Sequence, residues 1–231
     1  MELILVAHGT RRPGGVATIS DLAAQVGTLL GTTVRVAFVD VLGPTPGDLL
    51  SQSRATGRPA IVVPAFLSRG YHVRKDLPAH VAASGHPDVV VAPALGPGGQ
   101  IARILADQVA KCGWQQGDSV VLASAGTSDD LARSDLHTTA TLLSALTGSR
   151  VTLGFAGSGG LSEIVAGARR AGTGRVVVAS YLLADGLFQE QLRCCGADLV
   201  SEPLGAHRGL ARLVADRFRR AMPRRSDRLV A

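Results

Sequence analysis

Aromatic residues make up only 3% of this 231-residue chain, with a single tryptophan and two tyrosines. Such scarcity argues against a stacking platform for single-stranded nucleic acid, and no nucleic-acid partner is expected. Cysteine is scarcer still: Cys112, Cys194 and Cys195 form no CxxC pair and cannot build a disulfide framework. All three read as small buried hydrophobes. No apolar run approaches the roughly 20 residues of a membrane span, and the opening "MELILVAHG" has neither a basic leader nor a cleavage site. A soluble, cytoplasmic protein without a membrane partner is expected. No GxxxxGK[ST] loop is present, so nothing suggests ATP hydrolysis.

What is present is ample core material: 46% of the residues are hydrophobic and 18% charged, which gives no compositional case for disorder. The net charge is +6, from 24 basic and 18 acidic residues. Much of the excess sits in the last stretch, "RFRRAMPRRSDRLVA", which reads as a solvated helix end and a frayed tail. Positive charge elsewhere suits a polyanionic small molecule.

Short apolar, β-branched runs recur at 2–7, 33–39, 60–65, 88–92, 119–124, 150–156, 175–180 and 197–201. Their continuous apolar character predicts strands buried on both faces of a parallel sheet, with helices as crossovers. The second four runs repeat the first four. "LASAGTSDD" falls on "LVAHGTRRP", "VTLGFAG" on "VRVAFVD", "RVVVASYLLADGLF" on "AIVVPAFLSRGYHV" and "PLGAHRGLARLVADRF" on "ALGPGGQIARILADQV". The chain therefore reads as an internal duplication of a four-strand βα unit. Two α/β domains are expected, 1–112 and 118–231, each a four-stranded parallel sheet flanked by helices. "KCGWQQGD" is the linker, with Trp114 packing the halves together.

The differences between the copies carry the chemistry. His8 falls on Ala125, Asp40 on Gly157 and His72 on Phe188, so three potential ligands in the first copy face three inert residues in the second. All three lie past the carboxyl ends of strands, the edge of an open parallel sheet where ligands bind. Two imidazoles and a carboxylate suit a divalent transition metal, or acid–base chemistry near neutral pH. Arg11, Arg12, Arg69, Arg74 and Lys75 lie close in sequence to His8 or His72 and read as a carboxylate-binding rim. Ser68, Gly70 and Tyr71 form a turn that brings backbone close to a flat ligand.

"LVAHGTR", "VAFVD" and "VVPAFLSRGYHVRKDLP" together resemble the sirohydrochlorin chelatases of the CbiX/SirB type, in the class II, ATP-independent group. The resemblance spans essentially the whole chain, including the duplicated architecture of the long members. It implies insertion of Fe²⁺ or Co²⁺ into sirohydrochlorin, on the routes to sirohaem and cobalamin. It also implies two site histidines at His8 and His72 and an acidic position at Asp40, where the family more often has Glu. The tetrapyrrole would sit between the halves with the second copy as a wall, its carboxylates matching Arg11, Arg12, Arg69 and Arg74 of the basic rim, and the turn of Ser68, Gly70 and Tyr71 would also bind it. No permanently bound cofactor is implied, the metal being a substrate. The cysteine- or histidine-rich tails of some relatives are missing, so no iron–sulfur cluster is expected. One complete site per chain lets a monomer suffice.

Three other readings compete. A histidine phosphatase would place Arg directly before the His, where this chain has Ala7. A metal or tetrapyrrole carrier would use the same ligands without turnover. A dinucleotide site at "FAGSGGLSE" (155–163) lacks a clean GxGxxG and reads as a relic of the lost site. Of the remaining histidines, His80 and His86 are expected exposed, and His137 and His207 on or capping helices.

Overall fold

The computed structural model describes residues 1–172, 174–205 and 207–223, with Ser158 described by its backbone alone. The basic tail beyond residue 223 lies outside the described residues. Among the described residues, eight strands form two sheets of identical topology. The first contains β1 (Glu2–Ala7), β2 (Arg35–Phe38), β3 (Ala60–Pro64) and β4 (Val89–Val91) in the order β2-β1-β3-β4. The second contains β5 (Ser119–Ser124), β6 (Val151–Phe155), β7 (Val176–Ser180) and β8 (Leu199–Val200) in the order β6-β5-β7-β8. Every strand pair is parallel. The duplication legible in the sequence is thus a duplication of the fold. β8 is shorter than its apolar run predicts, because only Leu199 and Val200 find register partners, on Val177 and Val178.

Helix ends follow local chemistry. α1 (Pro13–Leu30) starts with proline in its first turn, where the missing N–H costs nothing. It stops at Gly31, held left-handed at φ 66°. α2 (Pro46–Ala55) opens on a reciprocal capping box between Thr45 and Asp48. α3 (Leu77–Ser84) continues directly from a π turn, His72–Asp76.

Alternation along the strands sends side chains to two different cores. Ile4, Val6 and Val62 face outward with Leu49, Leu50 and Leu77, under α2 and α3. Val121, Ala123, Val176 and Val178 do the same in the second sheet with Leu192 and residues of α6 (Leu161–Ala171). The opposite faces of both sheets share one continuous core, which includes Leu5, Val63, Leu122 and Val177.

That shared core is built by exchange. α4 (Gly99–Lys111), the last helix of the first copy, packs on β7 and on α5 (Asp130–Thr147) of the second. α8 (Arg208–Ala221), the last helix of the second copy, packs on α1 and β3 of the first. Trp114 rests against the same core, and its indole N–H donates to Ser149 Oγ at 3.2 Å. Among the described residues no helix is long and apolar enough to cross a membrane.

Candidate active site

β1 delivers His8 to the carboxyl edge of the first sheet. The next residue, Gly9, has φ 106°, and a Cβ there would lie 2.1 Å from the Asp40 carbonyl oxygen. Only glycine fits both that conformation and that space. The turn lets the Asp40 amide donate to the His8 carbonyl at 3.0 Å, tying the β1 and β2 loops together.

His72 opens the π turn beyond β3. Its ring lies 4.5 Å from the His8 ring in an edge-to-face arrangement, and it stacks on Phe66 at 5.9 Å. Both histidines have Nδ1 engaged by an oxygen: His8 with the Gly9 carbonyl at 3.0 Å, His72 with Asp76 Oδ2 at 2.5 Å. A carbonyl and a carboxylate accept, so in each ring Nδ1 carries the hydrogen, and in the neutral imidazole Nε2 then holds the lone pair. Two neighbouring imidazoles are thus held as donors for a metal ion or as acceptors for protons.

The pair borders a cavity of about 830 Å³ between the two halves. Phe38, Val41 and Phe66 line it from the first half; Gly126, Leu187 and Phe188 line it from the second. A smaller hollow of about 400 Å³ adjoins it, walled by Ser68, Gly70, Tyr71 and Asp129. His72, Phe66 and Gly126 border both spaces, so the His72 ring stands where the two meet. Val41 is held at φ 68°, a costly conformation for a β-branched residue, directly on the cavity wall.

The Asp40 side chain has a partner of its own. β2 ends at Phe38, and the Asp40 carboxylate turns back to accept from the Val41 amide at 2.7 Å. Among the described residues no group of three or more His, Cys, Asp or Glu side chains is placed to hold a metal ion.

The basic rim divides in two. Arg11 is exposed at the cavity and makes no ion pair among the described residues. Arg12, Arg69 and Arg74 reach across to the second half, pairing with Glu190, Asp135 and Asp129. The Arg69 bond is the most enclosed: Asp135 is 1% exposed, accepts from the Arg69 guanidinium at 2.5 Å and also from its backbone amide at 2.8 Å. Hydrogen bonding to Asp135 pushes the Arg69 guanidinium still further up. Tyr181 reinforces the same joint. Its buried hydroxyl donates to the Leu67 carbonyl at 2.8 Å, and burial raises its ionisation far above the usual value.

The hydrogen bond from Arg74 holds the Asp129 carboxyl below its usual range. The folded state therefore binds that proton less readily than the unfolded chain does. Its stabilisation is complete above the ordinary carboxylate value of about pH 4 and disappears as pH falls through the lowered folded value. Asp129→Asn keeps an oxygen to cap α5 through the Leu131 and Ala132 amides but loses the charge. We expect wild type to melt above the variant at neutral pH, and the gap to close as acid carries the pH below the ordinary carboxylate range, by thermal melts across the acid range. A constant gap would assign the effect to the cap instead.

Other residues differ from expectation. Cys194 is exposed rather than buried. His80 and His86 are half-buried, because His86 Nε2 bonds the Arg58 carbonyl at 2.9 Å and His80 lies against Gly47. His137 lies exposed on α5, and His207 caps α8 as expected. Sequence reasoning did not single out Asp76, Phe66, or the second-half carboxylates Asp129, Asp135 and Glu190. Asp135 carried a signal: it is an acid on the apolar stripe formed by Ala132, Leu136 and Leu143.

The sequence profile of the CbiX family matches residues 2–112, the part of the chain that carries both histidines. The first half of the chain is similar to the CbiX family. Two curated relatives are sirohydrochlorin cobaltochelatases. The protein of Methanopyrus kandleri is 32% identical over 82 residues, covering 34% of this chain and 56% of the relative. That of Methanothermobacter thermautotrophicus is 31% identical over 77 residues, covering 33% and 54%. The chain thus spans about half the length of the curated relatives it matches.

Among solved structures, SirB from Bacillus subtilis with Fe³⁺ superposes with a TM-score of 0.80 at 19% identity, covering 96% of each chain. SirB from Bacillus subtilis subspecies spizizenii in complex with cobalt gives 0.77 at 18% identity, covering 96% of this chain and 95% of that one. These likenesses show that the two-domain fold extends beyond the CbiX half to the inert copy.

Proposed function

We propose that the protein inserts Fe²⁺ or Co²⁺ into sirohydrochlorin, acting as a metal chelatase without ATP. The observation that carries this reading is the pair of imidazoles, 4.5 Å apart at an inter-half cavity, each with Nδ1 engaged by an oxygen acceptor. Similarity to the CbiX family and the cobaltochelatase relatives support the substrate.

The tetrapyrrole occupies the cavity between the halves. Phe66, Leu187 and Phe188 offer apolar faces to the macrocycle, and Arg11 meets a substrate carboxylate. His8 and His72 receive the metal, displace part of its water shell and accept the pyrrole protons that metal entry expels. Asp40 acts indirectly, by holding the Val41 turn on the cavity wall. Arg12 and Arg74 join the substrate's carboxylate partners if the macrocycle displaces Glu190 and Asp129 from them; Arg69 stays with Asp135.

The test is anaerobic incubation of the protein with sirohydrochlorin and either metal, following the absorbance of the metallated product. Turnover well beyond one equivalent per chain is expected. A reaction that stops at one equivalent would make the protein a carrier, and a rate equal to that without protein would remove the reading. Arg11→Ala is expected to raise the KM for sirohydrochlorin about tenfold with kcat nearly unchanged, the loss of one charge-assisted contact.

A further inference from the structure

His8 and His72 are backed by different groups. The Gly9 carbonyl behind His8 is a neutral dipole, whereas the Asp76 carboxylate behind His72 is an anion. We infer that Asp76 is the positioning residue that makes His72 the first nitrogen to take the incoming cation, with His8 second. This rests on the chelatase reading above.

Three observations place Asp76 in that role. The first is the π turn itself. The Leu77 amide bonds the His72 carbonyl five residues back, and within this widened turn Asp76 Oδ2 lies 2.5 Å from His72 Nδ1. Such turns are uncommon and concentrate at functional sites.

The second is that Asp76 does nothing else that the structure records. It heads α3 without making a side-chain cap bond, and it pairs with no Arg or Lys among the described residues. Arg74, two residues earlier, turns to Asp129. The His72 ring, stacked on Phe66 and edged by Tyr71, has little freedom to leave this contact.

The third comes from the inert copy. Counted from Gly70 and Gly186, His72 falls on Phe188 and Asp76 on Leu192, which is fully buried. The corresponding segment is a regular helix, α7 (Leu187–Arg193), without the π turn. The histidine, the carboxylate behind it and the distortion that joins them are absent together.

A carboxylate hydrogen-bonded to a metal-binding imidazole fixes its tautomer, makes the free nitrogen a stronger donor and offsets part of the cation's charge. Losing such a partner costs about 10–100-fold in metal affinity. The test uses the full chain with Asp76→Ala, which removes the acceptor, and Asp76→Asn, which keeps an acceptor oxygen without the charge. Two readouts apply: the tautomer of the His72 ring by nitrogen-15 NMR, assigned with His72→Gln, and Co²⁺ affinity by visible absorption.

Wild type is expected to show hydrogen on Nδ1 of His72. Asp76→Ala is expected to give mixed tautomers and to lose about 10–100-fold in Co²⁺ affinity, with Asp76→Asn restoring the tautomer and part of the affinity. Loss of affinity in His72→Gln should exceed that in His8→Ala. An Asp76→Ala protein that keeps both the tautomer and the affinity overturns the inference, as does equal weakening by the two histidine variants. Should Asp76→Ala fail to fold, wild-type affinity in Asp76→Asn together with a Co²⁺ loss from His72→Gln no larger than from His8→Ala has the same force. Wild type that binds Co²⁺ in this order but does not metallate sirohydrochlorin removes the chelatase reading instead. Wild type that takes up no Co²⁺ removes both.

Discussion

His8→Ala and His72→Ala should each lower the rate of metal insertion into sirohydrochlorin by at least about a hundredfold, the range for losing one positioned acid–base group. Stability should move by less than about 0.5 kcal/mol for His8→Ala, because His8 is exposed and its recorded side-chain hydrogen bond is to its neighbour Gly9. The double variant should be little slower than either single one. With rings 4.5 Å apart, the two imidazoles share one task, and residues that act as a unit do not contribute additively. Steady-state rates with thermal melts on the same preparations check all three points. Near-wild-type rates in both single variants would remove the proposed function, and strict multiplication in the double variant would mean that the histidines serve separate steps.

Phe218→Ala is expected to destabilise the protein by about 3–5 kcal/mol, through lost burial and the cavity left behind. Phe218 is fully buried in the shared core, on the helix that the second copy lends to β3 and α1. The physical claim concerns cooperativity more than magnitude. If the inner layer belongs to both sheets, the two halves must lose it at the same denaturant concentration. Urea unfolding followed by Trp114 fluorescence and by far-ultraviolet circular dichroism should therefore give coincident midpoints, shifted together in the variant. Separate transitions, with only one moved, would show that the helix exchange does not couple the halves.

The repeat was legible in the sequence because backbone patterning is local. Each strand announces itself by an apolar run, and parallel pairing requires that run to be continuous. All eight runs became strands, and the shared topology follows from their matched order. His8 and His72 were legible for a related reason: comparison with Ala125 and Phe188 separated chemistry from scaffold within a single chain.

What sequence reasoning did not reach depends on side-chain direction and on packing between distant segments. Asp40 sits at the right sheet edge, yet its carboxylate is drawn to the Val41 amide one residue away, a bond that strand-end position does not reveal. Arg12, Arg69 and Arg74 were expected around a ligand because they cluster near the histidines. Their partners Glu190, Asp135 and Asp129 come from the other half, and nothing in the first half announces them. The exchange of α4 and α8 was equally hidden. Both helices are amphipathic, and an apolar stripe states that a helix must be covered without naming the sheet that covers it.

The exchange has a consequence for how the chain tolerates change. A second copy stripped of its ligands would ordinarily be free to drift or be deleted. Here the apolar stripe of α8 closes the face of the sheet that carries His8 and His72, and α4 repays the same service to the other sheet. Substitutions at Leu210, Val214 and Phe218 should therefore be as poorly tolerated as substitutions within β1. Gly160, where an added Cβ would meet nothing within 4 Å, is under no such restraint. The inert half is retired from chemistry and still indentured to the architecture of its twin.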